Sequence, residues 1–275
     1  MPDWAAFAGI AGVATLLLLA AARLSAGAVG GDPGRTRDRG PGSVPRPGRL
    51  DALPDGAGHL DAVAGTPGDG GDAGPDRVSM TTPELVANVA VTHGLFGVGV
   101  LAAAWFTGIP AGAFGWTGTP VASALALGVG IGAILSVANA GATAVTAELG
   151  HRPSSELREL LAPDSPGGWL LLLGVVLPLV AGFEELLFRG VLVGVFAAGF
   201  GLSPWPLAVV SSVTFALAHA AQGRAGVVVT GGLGFALAAA FVLTGSLLAV
   251  VVAHYLVNAV EFAVHEWLGL DVAWG

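Results

Sequence analysis

Two carboxylates and a guanidinium stand inside a run of residues apolar enough to cross a bilayer: Phe183-Glu184-Glu185-Leu186-Leu187-Phe188-Arg189-Gly190. An ionised side chain at the centre of a bilayer costs at least ~2.5 to 3.5 kcal/mol on insertion scales, so such groups face a protein interior and serve a purpose there. On a helix Glu185 and Arg189 are i,i+4 neighbours that neutralise each other, while Glu184 projects about 100° away. One carboxylate is thereby committed and the other is free. Two later apolar segments carry partners for it. Phe215-Ala216-Leu217-Ala218-His219 ends in a histidine, and His254-Tyr255-Leu256-Val257-Asn258 sets an imidazole and a carboxamide one turn apart. A carboxylate with an imidazole activates water, and an imidazole with a carboxamide binds an oxyanion. Glu184, His219 and His254 also form an acceptable zinc set with a fourth position open to water. The rival reading is a purely structural polar network. Such a network has little need of two histidines, an amide and a spare carboxylate beside a Glu-Arg pair that is already complete.

These groups meet only inside a helix bundle, and the composition says that the bundle lies in a membrane. The chain is 54% hydrophobic and 11% charged, with mean hydropathy +0.77, against about 25% charged in an ordinary soluble domain. This marks an integral membrane protein, and no nucleic-acid partner is expected. There is no cysteine, which excludes disulfides and thiolate zinc sites. All basic residues are arginine and the net charge is −8, a usage that points to a GC-rich genome and not to a chemistry.

Ala5 to Ala22 is an uninterrupted apolar run long enough for a membrane helix. It lacks the basic n-region of a signal peptide, so a retained anchor over residues 1–24 is the expectation. From 25 to 82 Gly, Pro, Asp and Arg dominate, a composition that buries too little to offset chain entropy and reads as a disordered linker. His59, beside Asp61, reads as a solvated linker residue. Six further spans follow: Leu85 to Phe106, Val121 to Val145, Trp169 to Phe196, Pro206 to Ala221, Ala225 to Leu243 and Leu247 to Val264. The fold expected is all-α, a polytopic bundle of about seven transmembrane helices. Its organisation is two helices and a surface helix over 83–166, a four-helix core over 167–266, and a tail over 267–275. Pro178 and Gly182, just ahead of the carboxylates, are expected to kink their helix.

Arginine sets the orientation. Arg23, Arg35, Arg37, Arg39, Arg46, Arg49, Arg77, Arg152, Arg158 and Arg224 all fall on one side if the spans alternate, and the opposite loops carry none. The positive-inside rule then puts the N-terminus outside and the C-terminus in the cytoplasm of a cell-membrane protein. The segment His151 to Pro163 is expected to be an amphipathic helix at the cytoplasmic surface. Asn88, Thr92, His93 and Asn139 read as hydrogen-bonding glue between helices, Glu261, His265 and Glu266 as a solvated group at the boundary, and Gly226, Gly231, Gly232 and Gly234 as packing residues.

The order EExxxR, FxxxH, HxxxN, each on its own hydrophobic segment between Gly167 and Glu266, resembles the CAAX-protease and bacteriocin-processing (CPBP, or ABI) family of intramembrane endopeptidases. The resemblance implies hydrolysis of a peptide bond in a membrane protein or lipidated peptide substrate among membrane lipid, with CAAX-type C-terminal processing as one implied case. It implies that Glu184 with His219 activates water, that His254 and Asn258 stabilise the oxyanion, and that Glu185, Arg189 and Phe215 support them. The family has been described both as metal-independent and as metal-dependent, so the cofactor is either none or one zinc ion. Asn258, a poor zinc ligand and a good oxyanion donor, tilts the reading to none. A non-catalytic scaffold or maturation factor, and a proton-coupled transporter, are the alternatives. Against the transporter, the two halves show no internal repeat.

Overall fold

In hydrocarbon a backbone has no water to bond, so apolar spans of this length satisfy their N–H and C=O groups internally as helices. The computed structural model describes residues 1–29, 81–116, 118–151 and 154–270, and every regular element among them is helical. In chain order these are α1 (Trp4–Val29), α2 (Thr82–Phe106), α3 (Val121–Glu148), α4 (Glu156–Leu161), α5 (Pro166–Phe200), α6 (Pro204–Ala218), α7 (Gly223–Thr244) and α8 (Leu247–Trp267). Six of them, α1, α2, α3, α5, α7 and α8, are long and apolar enough to cross a membrane, and α6 is a shorter apolar helix. The seven expected spans are therefore six long helices and one short one. The helix expected to end at residue 24 runs on to Val29. Residues 30–80 of the expected linker, and 271–275 of the tail, lie outside the described residues.

Local chemistry fixes several ends. At α2, Thr81 N–H donates to Glu84 Oε2 at 2.8 Å in a capping box. The connection between α7 and α8 is a tight turn in which Gly245 takes a left-handed φ of 64°, and Ser246 then caps α8 by accepting from Ala249 N–H. The amphipathic surface helix is shorter than expected. Only Glu156–Leu161 is helical, with Leu161 buried and Leu157 and Leu160 exposed.

Within α5 the helix type changes around Pro178. Leu172–Val176 is a π turn placed just before Pro178, where a missing N–H would otherwise break the ladder. After an α-helical stretch, Leu177–Glu185, the helix becomes π-helical again over Leu186–Val195. The boundary falls directly after the two glutamates.

Glycines set the closest helix contacts. On α3, a Cβ at Gly128 would come within 2.6 Å of the Ala249 carbonyl oxygen and one at Gly132 within 2.9 Å of the Ala253 oxygen, so this GxxxG face seats α8 against α3. On α7, a Cβ at Gly234 would meet the Phe215 ring at 2.9 Å, which brings α6 and α7 together. The main core runs through Phe7, Phe114, Phe183, Leu187, Phe188 and Phe215, with α1 contributing Phe7 at 0% exposure.

The loops segregate to two ends, as alternating spans require. At one end Asp3 N–H bonds the Thr107 carbonyl and Leu247 N–H bonds Gly115; at the other Ser154 N–H bonds Gln222 and Arg158 reaches Glu261 and Glu266.

Candidate functional site

Glu184 and Glu185 are consecutive on α5, so their side chains leave the helix about 100° apart and enter different surroundings. Glu184, 12% exposed, faces side chains from α2, from the end of α6 and from α8. Three imidazole Nε2 atoms converge on it: His93 at 3.8 Å and His219 at 3.9 Å from Oε1, and His254 at 3.6 Å from Oε2. None is close enough for a direct hydrogen bond. Each ring is fixed through its other nitrogen. His93 Nδ1 lies 2.8 Å from the Val89 carbonyl oxygen, His219 Nδ1 lies 2.9 Å from that of Phe215, and His254 Nδ1 lies 2.7 Å from Glu185 Oε1.

The shortness of α6 places His219. At 1.5 Å per residue its 15 residues cover about 22 Å, less than the ~30 Å hydrocarbon core. The helix ends at Ala218, His219 closes it with φ −100° and ψ 21°, and the chain turns through Ala220–Gln222 before α7 begins. The span expected to run to Ala221 stops three residues earlier, and that early stop sets the imidazole at the depth of the carboxylate.

Glu185 and Arg189 are both 0% exposed. Arg189 Nη1 donates to Glu185 Oε1 at 2.8 Å, Nη2 donates to the Gly234 carbonyl at 2.7 Å, and the guanidinium lies 4.7 Å from the centre of the Phe215 ring. Gly234 thus has two duties, since its missing side chain admits Phe215 and its carbonyl receives Arg189. Glu185 Oε1 takes His254 as well, so this pair also orients an imidazole of the site. Phe215 meets the His254 ring edge-on at 5.8 Å and packs on His219 at 4.5 Å. Glu185 Oε2 and Arg189 Nε have no hydrogen-bond partner among the described residues.

Asn258 lies one turn beyond His254 on α8 and is half-buried. Nothing among the described residues hydrogen-bonds its carboxamide, which leaves its N–H groups available to a bound molecule. Among the described residues no group of three or more His, Asp or Glu side chains is placed to hold a metal ion.

His93, expected to act as glue, bonds its own helix at Val89 and also faces Glu184; the signal in the sequence is an ionisable ring in mid-span. Asn139 does serve as glue, donating to Glu261 Oε1 at 2.7 Å. The boundary group is more ordered than expected: Arg158 bonds Glu261 at 3.1 Å and Glu266 at 2.7 Å, and His265 Nε2 lies 3.6 Å from Glu261. This network ties α4 to the end of α8 and lies apart from Glu184.

Residues 166–260 match the family model described as Rce1-like, type II CAAX prenyl endopeptidase. No curated protein and no solved structure matches the chain.

Proposed function

We propose, from the match of residues 166–260 to the Rce1-like family model of type II CAAX prenyl endopeptidases, that this integral membrane protein is an intramembrane endopeptidase that uses Glu184 as its base. The observation that carries the reading is the division of labour between adjacent glutamates. Glu185 is fully buried and bonded to Arg189 and His254, whereas Glu184 has no direct hydrogen bond among the described residues and faces imidazole nitrogens.

Glu184, with His219, holds a water and takes its proton as the oxygen attacks the scissile carbonyl carbon. The C–N bond then breaks, and Glu184 returns that proton to the departing amine. His254 and Asn258 donate to the oxyanion that forms between these steps. His254 is held through Nδ1 against Glu185 Oε1, which turns Nε2 toward the site. Arg189 in turn bonds Glu185 and offsets its charge inside the bundle. Phe183, Phe188 and Phe215 wall off this polar core.

The substrate class proposed is a membrane-associated protein or lipidated peptide, with CAAX-type C-terminal processing as the case the family name suggests. The mechanism is proposed to be metal-free, and the enzyme to sit in the cell membrane with its C-terminus in the cytoplasm.

The test is proteolysis in liposomes with a quenched fluorescent peptide library that includes prenylated C-terminal peptides. Wild type is expected to cleave, Glu184→Gln and His254→Ala to lose ~10²-fold or more, and dialysis against a chelator to leave the rate unchanged. A folded wild type that cleaves no peptide overturns the reading in favour of a scaffold. Activity lost on chelation and restored by zinc overturns the metal-free mechanism alone.

A further inference from the structure

His93 lies on α2, outside the matched segment 166–260, yet its ring faces Glu184. A carbonyl oxygen only accepts, so the contact with Val89 means that His93 Nδ1 carries the hydrogen and donates. The neutral ring then presents the bare lone pair of Nε2 to the site, 3.8 Å from Glu184 Oε1. His219 repeats the arrangement, donating from Nδ1 to Phe215 and presenting Nε2 at 3.9 Å from the same oxygen. With both rings neutral, two acceptor nitrogens flank one carboxylate oxygen. The placement is firm. Cβ atoms at Gly94 and Gly97 would sit at ordinary contact with Leu179 and Phe183, so α2 packs closely on α5, and the His93 ring stands edge-on to Phe183 at 5.4 Å.

We propose that His93 is a further catalytic residue, which together with His219 orients the attacking water at Glu184; the proposal rests on the hydrolytic reading above. A water has two O–H bonds. Glu184 accepts the first and removes that proton as the C–O bond forms. The second is shared between the Nε2 atoms of His93 and His219 and is not transferred, so the oxygen lone pair points away from both rings and toward the carbonyl carbon. When the C–N bond breaks, the proton on Glu184 goes to the amine and the second hydrogen leaves with the new carboxyl group. One water is consumed for each amide split, and no other reactant is needed.

Three substitutions separate this role from glue. Gln carries an acceptor oxygen to the position of Nε2; Asn reaches only the position of Nδ1 and keeps the bond to Val89; Leu supplies neither. His93→Gln is expected to hold kcat within about tenfold of wild type, and His93→Asn and His93→Leu to lose ~10²-fold or more, with KM and the melting transition unchanged. Asparagine as active as glutamine, or leucine as active as wild type, overturns the proposal.

A second arm needs no activity. In protein labelled with 15N-histidine, the Nε2 resonance of His93, identified by its disappearance in His93→Gln, is expected to shift in Glu184→Gln. A resonance that ignores that substitution overturns the pairing itself. A shifted resonance in a wild type that cleaves nothing keeps the pairing but overturns the peptidase reading, and with it the catalytic role of His93.

Discussion

A buried carboxylate persists only with partners, and Glu185 has them on one oxygen: Arg189 and His254 both bond Oε1. Removing one member of such a set strands a charge in the interior, at a cost of about 3–5 kcal/mol. Arg189→Leu is accordingly expected to lower the melting transition sharply in a detergent thermal scan, whereas Glu184→Gln, which removes no direct bond, is expected to melt near wild type. Asn258 has no hydrogen-bond partner among the described residues, so Asn258→Ala is expected to keep the fold and lower kcat by ~10²- to 10³-fold, the loss typical of one oxyanion donor. An unchanged kcat removes Asn258 from the site. At this scale the convergence of Glu184, His219 and His254 was legible, because each is a polar group on a segment otherwise too apolar to carry it. His93 was not, because a lone histidine in mid-span reads alike whether it bonds its own helix or faces a carboxylate, and here it does both.

At the scale of elements, the α3–α8 seam decides where His254 stands. Gly132 touches the backbone of Ala253, the residue next to it, so a side chain there must push α8 away. Gly132→Leu is expected to cost about 1–3 kcal/mol by overpacking and to abolish cleavage by shifting the imidazole. Gly130→Ala, on the open side of the same helix, meets nothing within 4 Å and is expected to be neutral or stabilising. Equal tolerance of both changes removes the seam from the argument. The spans themselves were readable from hydropathy, since lipid permits little besides helices. The π turns were not. Bonding from i to i+5 leaves no spacing in the sequence, and Pro178 read as a kink because its missing N–H says that the ladder changes and not how. The early end of α6 was equally hidden, since the apolar run continues through Ala220 and Ala221 into the turn.

For the whole molecule, the segregation of loops to two ends agrees with alternating spans, and arginine alone assigns the sides. The chain has no cysteine, so single cysteines report on this directly. Leu202→Cys, in the turn between α5 and α6, is expected to react with an impermeant maleimide on intact cells, and Leu157→Cys on α4 only after permeabilisation; both side chains are exposed. The reverse pattern inverts the orientation.

The docking of α1 has a further consequence. Phe7 is fully buried against Phe114, Asp3 bonds Thr107, and the Trp4 ring fills the hollow at Gly199. The first helix is thus held by its own contacts with the bundle. A single cut anywhere between residues 30 and 80 would turn the protein into a heterodimer of a short peptide and a long one, held by the interface that already exists. The two genes of a split version would then need only to be expressed in the same membrane.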